Sequence, residues 1–136
     1  MTVDDVGSWL KAFIERHGGV AGTVHVVGES GVLQMAASHN IPPKVVEVTR
    51  SIPKGKGMAG LAWERGAPVQ TCNLKEDRTG DVRPGAKAVD ATAAVALPVT
   101  ADGAFVGVVG IAYADDRELT EAQLATLSDD AAAFPR

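Results

Sequence analysis

Gly55, Gly57 and Gly60 spell G-x-G-x-x-G, a spacing that can cradle a pyrophosphate at a helix N-terminus. That chemistry needs a buried strand running straight into the glycines and a helix leaving them. The residues before the block read differently. Val45, Val48 and Ile52 recur at three- and four-residue steps, a helical stripe. Pro53, two residues before the first glycine, disfavours a central parallel strand ending there. The dinucleotide reading fails on context, and the glycines read instead as devices of backbone geometry.

Other reactive side chains are few. Cys72 is the lone cysteine, so the sequence offers no internal disulfide and no second thiol for a redox cycle. It reads as a small apolar residue at a strand end, or as a sensor thiol if Lys75, Arg78 and Arg83 lower its pKa. In the expected first hairpin His25 pairs near Met35 and His39 near Ala21, too far apart along the ladder to share a metal. Each histidine, His17 included, reads as a surface or internally satisfied group. Asp115-Asp116 and Asp129-Asp130 are adjacent pairs whose side chains point apart, hence solvated charges. No nucleophile elbow accompanies a Ser, His and Asp set. No catalytic residue, metal ligand or cofactor is expected.

The remaining candidate is a stretch of 19 residues, 73–91, rich in Gly, Asp, Arg and Lys. A long irregular segment inside a small domain is usually functional. Asp77, Arg78, Asp81, Arg83 and Lys87 would supply polar contacts to a ligand, beside Trp63, Cys72 and Val89 with Leu74 as wall. Arg83 precedes Pro84, which restricts its backbone and helps aim its guanidinium at a carboxylate or phosphate. An Ω-type lid that binds nothing fits the same composition.

The elements that must position these groups are legible from periodicity. A helix is expected over 4–16, with Asp4 or Asp5 as cap, a stripe of Val6, Trp9, Leu10, Phe13 and Ile14, and a glycine stop at Gly18-Gly19. Strands over 21–27 and 32–38 form a hairpin; short helices follow over 42–50 and 58–65, the second closed by Gly66. After a short strand over 68–72 come two strands, 92–100 and 104–114, joined through Asp102-Gly103. Both are apolar without alternation, which implies cover on both faces. Thr120-Glu121-Ala122-Gln123 is a capping box opening a last helix that carries Leu124, Leu127, Ala131 and Phe134. The order is α+β on an antiparallel sheet.

The chain has 136 residues, 46% apolar, which suits a single domain over 1–136 with an ordinary core. No apolar run approaches the ~20 residues of a membrane span, and the acidic N-terminus is unlike a signal peptide. A cytoplasmic setting is the expectation. Net charge is −4, but residues 44–87 hold nine basic against five acidic side chains, a local +4, while the remainder carries −8. Nucleic acid is disfavoured as a partner; a small anion near the central segment is not.

These residues resemble a GAF domain. The resemblance rests on Ile52-Pro53 leading into Gly57-Met58-Ala59-Gly60-Leu61-Ala62, then Gly66-Ala67-Pro68-Val69. It continues through Ala93–Val99, a turn glycine at Gly103, and Val106-Gly107-Val108-Val109-Gly110. It covers roughly Ala21 to Phe134. It implies a PAS-related central antiparallel sheet of five or six strands, terminal helices on one face, short helices and a long loop on the other. Small molecules would sit between the sheet and the helix-loop layer, and homodimers would form through the terminal helices, whose stripes include Trp9, Phe13, Leu124 and Phe134. Gly57 and Gly60 would let the short helix start sharply and pack close to the sheet.

Subgroups of that family differ in chemistry, and this chain departs from each. Free methionine sulfoxide reductases use several cysteines from the long loop, where 82–92 here has none. Bilin binding needs a cysteine beside a histidine, haem binding an axial histidine in the pocket. Asn73-Leu74-Lys75-Glu76-Asp77 only mimics the start of the cyclic-nucleotide motif. The expectation is a sensory module that binds a polar or anionic metabolite and signals through a separate partner. A thiol-dependent enzyme or sensor using Cys72, or a scaffold without ligand, is the alternative.

Overall fold

The computed structural model describes residues 3–28, 31–71, 93–115 and 118–135. The elements run α1 (Val3–Arg16), β1 (Ala21–Val27), β2 (Leu33–His39), α2 (Pro43–Thr49), β3 (Ser51–Ile52) and α3 (Gly57–Arg65). They continue with β4 (Val69–Thr71), β5 (Ala93–Ala101), β6 (Ala104–Tyr113) and α4 (Glu121–Ala131). Six strands form one antiparallel sheet in the order β3-β2-β1-β6-β5-β4. The long apolar strands take the middle, and the two shortest take the edges, which keeps the row of unpaired edge backbone short.

Each face of the sheet has its own cover. Val24, Val95, Leu97, Val109 and Ile111 pack against Leu10, Phe13 and Ile14 of α1 and Leu127 and Ala131 of α4. On the opposite face α2 meets Ala21 and Ala112 through Val45, while α3 meets Ala96 and Val108 through Ala62. Both terminal helices thus lie on one face and both short helices on the other, as the family resemblance implies.

The turns behave as their residues dictate. Asp102 and Gly103 both have positive φ, 53° and 79°, the backbone of a tight primed hairpin turn between β5 and β6. Gly66 closes α3 in the left-handed region at φ 65°, its N–H donating to the Ala62 carbonyl. The capping box of α4 is complete: Gln123 N–H donates to Thr120 Oγ1 at 3.2 Å, and Thr120 N–H to Gln123 Oε1 at 2.8 Å. Gln70 of β4 adds a clamp absent from the sequence reading. Its amide takes the Leu119 N–H at 2.9 Å and donates to the Leu119 carbonyl at 3.1 Å, fixing the entry to α4.

Three expectations need correction. Asp4 and Asp5 lie within α1 and not at its cap. The stripe of Val45, Val48 and Ile52 is not one helical face. The helix ends at Thr49, Val48 is 55% exposed, and Ile52 belongs to the edge strand β3, paired with Leu33. Pro53 suits the end of an edge strand, where the missing N–H costs no ladder bond. Finally, Gly60 packs on the turn before its own helix: a Cβ there would lie 2.5 Å from the Pro53 carbonyl oxygen. The Gly55 N–H donates to the Gly60 carbonyl at 2.9 Å, closing the same turn. Gly60→Ala is therefore expected to cost about 1–3 kcal/mol through this clash, read as a lower denaturant midpoint. An unchanged midpoint would show that the turn can move aside.

Candidate functional site

The two faces of the central strands differ in side-chain size. Toward the terminal helices β5 and β6 present Val95, Leu97, Val109 and Ile111; toward the short helices they present Ala94, Ala96, Gly110 and Ala112, with the larger Val108 among them. Small side chains under two short helices leave space. A cavity of about 140 Å³ lies there, bounded by those small residues, by Ile41, Val45 and Thr49 around α2, and by Gly57, Met58 and Ala59 at the start of α3. The start of α3 thus borders the cavity, but the Gly57–Gly60 turn serves chain geometry first.

The polar side chains on this wall are His25, Thr23 and Thr49. His25 is placed there by a β-bulge. β1 and β2 shift register between Val24, opposite Ala37, and His25, opposite Met35, so Ala36 is the extra residue. The shift puts Leu33 of β2 toward α3 while Ala37 faces α1. Beyond the bulge, Met35 N–H donates to the Arg50 carbonyl at 2.8 Å, which draws the end of α2 against the sheet. There the His25 ring meets the Thr49 carbonyl, with Nε2 at 2.8 Å. That carbonyl is among those a helix C-terminus leaves without an intrahelical donor.

The contact fixes the tautomer. A carbonyl only accepts, so Nε2 carries the proton and donates. In the neutral ring Nδ1 is then a bare acceptor, and it has no hydrogen-bond partner though fully buried. His25 is only 2% exposed. Burial holds its pKa below the ordinary histidine value; the bond to Thr49 pulls upward and is the smaller influence. The expectation of a surface or internally satisfied histidine is therefore corrected: His25 is interior and half-satisfied.

The other expected residues fall elsewhere. Trp63 lies on α3, stacked on Phe105 at 5.2 Å with 4° between planes, with Lys54 Nζ 5.5 Å from its ring; it does not border the cavity. Cys72, Asp77, Arg78, Asp81, Arg83, Lys87 and Val89 lie outside the described residues. Asp130, read as a solvated charge, instead ties the terminal helices together: it accepts from Arg16 at 2.9 Å and contacts His17 Nε2 at 2.6 Å. Partial burial pushes its carboxyl up, but the hydrogen bonds from His17 and Arg16 outweigh this and hold it below the usual value. Phe13 and Phe134 are buried within the chain, Phe13 stacked on Trp9 at 5.0 Å. Among the described residues no three His, Cys, Asp or Glu side chains cluster as a metal site.

A family model described as GAF domain matches residues 6–132. The chain belongs to the GAF domain family. Solved structures agree in fold. The GAF domain of an Acinetobacter phosphoenolpyruvate-protein phosphotransferase superposes with TM-score 0.74 at 16% identity, over 98% of this chain and 82% of that one. A type II free methionine-R-sulfoxide reductase from Thermoplasma acidophilum gives TM-score 0.71 at 17% identity, over 93% and 87%. The free methionine-R-sulfoxide reductase of Neisseria meningitidis, in complex with its substrate, gives 0.68 at 19%, over 90% and 73%. At these identities the likeness carries fold alone, and sensor domains and enzymes share it. A comparison with curated protein sequences finds no match.

In this GAF domain the two perturbed groups act in separate pH windows. The unfolded chain titrates its histidines near pH 6.5, whereas folded His25 stays neutral to lower pH. The unfolded state then binds more protons, so the stability due to His25 is full above about pH 6.5 and declines as pH falls below it. Asp130 has a depressed pKa, so its share is present above about pH 3.9 and is lost only below that. Between pH 7 and 5 the melting temperature of His25→Phe should fall less than that of the wild type. Parallel curves would contradict a buried neutral His25.

Proposed function

We propose that this GAF domain is a small-molecule-binding regulatory module whose ligand, a polar or anionic metabolite, occupies the cavity between the sheet and α2–α3. The supporting observation is the cavity itself, floored by the small side chains Ala94, Ala96, Gly110 and Ala112 and bordered by the ends of two helices. Pockets of this kind, apolar with a few converging polar groups, are the common form of ligand sites. The expected polar contacts from Asp77, Arg78, Asp81, Arg83 and Lys87 belong to the same proposal, with Arg83 as the anion-recognising group.

Signalling would pass to a separate protein, and the module would work as a homodimer in the cytoplasm. With Phe13 and Phe134 buried, a dimer would use the outer flanks of α1 and α4, where Trp9 and Leu124 are only partly covered. Among the described residues no helix is long and apolar enough to cross a membrane. The enzyme alternative draws support from the reductase neighbours. With Cys72 the lone cysteine of the sequence, that cycle would need an external thiol.

A thermal-shift screen of metabolites against wild type and Ala94→Leu tests the proposal. A ligand at 100 times its Kd adds about 2.7 kcal/mol, or roughly 10 °C for a domain of this size. Ala94→Leu should fold but lose the shift, because its side chain fills the cavity. Equal shifts in both proteins would place the ligand elsewhere. Arg83→Ala should weaken anionic compounds only. Turnover of free methionine-R-sulfoxide that Cys72→Ser abolishes would replace the binding module with the enzyme.

A further inference from the structure

The described wall of the cavity carries no charged side chain. Among the buried side-chain polar atoms described, the one without a hydrogen-bond partner is Nδ1 of His25, a residue of this wall. Two polar groups beside it are already committed: Nε2 donates to the Thr49 carbonyl, and Thr49 Oγ1 donates to the Val45 carbonyl at 2.6 Å. Thr49 cannot give its hydroxyl proton to the ring while bonded there. The buried polar demand left open on this wall is for a donor directed at an aromatic nitrogen.

That demand selects among ligands. An anion would set its oxygen lone pairs against the Nδ1 lone pair, with no described cation on the wall to offset the desolvation of its charge. A cation would lose its hydration against mainly aliphatic neighbours. A neutral molecule with one O–H or N–H meets the nitrogen and buries the rest of its surface. Size narrows the class further, since an apolar cavity of about 150 Å³ accommodates benzene, and this one measures about 140 Å³. We infer that the cavity takes a neutral, largely apolar molecule of roughly benzene size with a single hydrogen-bond donor, such as a phenol or small alcohol, anchored by His25 Nδ1. The inference rests on the cavity being the ligand site and replaces the polar or anionic class of occupant there with a neutral, largely apolar donor.

Satisfying a buried acceptor that otherwise stays unpaired is expected to be worth about tenfold in affinity. Phenol and fluorobenzene are the probes, alike in shape but unlike in donor capacity. In titration calorimetry the wild type should bind phenol about tenfold tighter than fluorobenzene, and His25→Phe should bind the two equally. In ¹⁵N-labelled wild type the His25 Nδ1 resonance should begin at the position of an unprotonated ring nitrogen. It should move upfield with phenol and hold still with fluorobenzene. This second readout does not depend on a variant folding. Equal affinities in the wild type with an unmoved resonance would overturn the anchoring role while leaving the cavity a ligand site. Binding of neither probe at millimolar concentration would overturn both.

Discussion

β1, β5 and β6 carry apolar side chains on both faces, so neither face can be left to water, and the rest of the molecule is arranged to cover them. Large side chains on one face meet two long helices and pack solidly: Leu10, Phe13 and Ile14 against Val95, Leu97 and Ile111. Small side chains on the other meet a seven-residue and a nine-residue helix. A thin cover over alanine and glycine cannot close the space as leucine over isoleucine does. The cavity follows from that asymmetry.

The same constraint accounts for His25. A strand in the middle of a doubly covered sheet has no solvent side, so any polar residue on it must find a partner or cost stability. The bulge at Ala36 and the Met35–Arg50 hydrogen bond bring the end of α2 to within reach of one ring nitrogen. The partner found is a helix-end carbonyl that itself lacked a donor, so one contact satisfies two groups. The second nitrogen is left over, in the part of the core that is loosely filled. Structural need explains one half of this histidine, and only the other half is free for recognition.

Much of the fold was legible because the signals are local. The capping box at Thr120, the glycine stop at Gly66 and the Asp102-Gly103 turn are short-range chemistry, and each appears where the residues place it. The family resemblance rested on glycines and prolines that set backbone geometry, and it too holds. What failed was long-range. Val48 and Ile52 fit a helical period, but pairing of Ser51 and Ile52 with β2 overrode it. The link from Asp130 to Arg16 and His17 spans most of the chain, and no spacing rule reaches that far. His25 was within reach: the strands around it are covered twice, so a histidine there had to be interior. The alternation of Ala94, Ala96 with Val95, Leu97 was likewise visible as a difference in volume between faces.

Ligand binding and the His25 anchor both require that the space between the sheet and α2–α3 admit a guest. Xenon-pressurised crystals measure this without assuming a ligand, since xenon enters apolar cavities of this size. A xenon peak bordered by Val45, Met58, Ala94 and Val108 is the predicted result. Absence of xenon there, or a peak only between the terminal helices and the sheet beside Phe13 and Leu127, would contradict it.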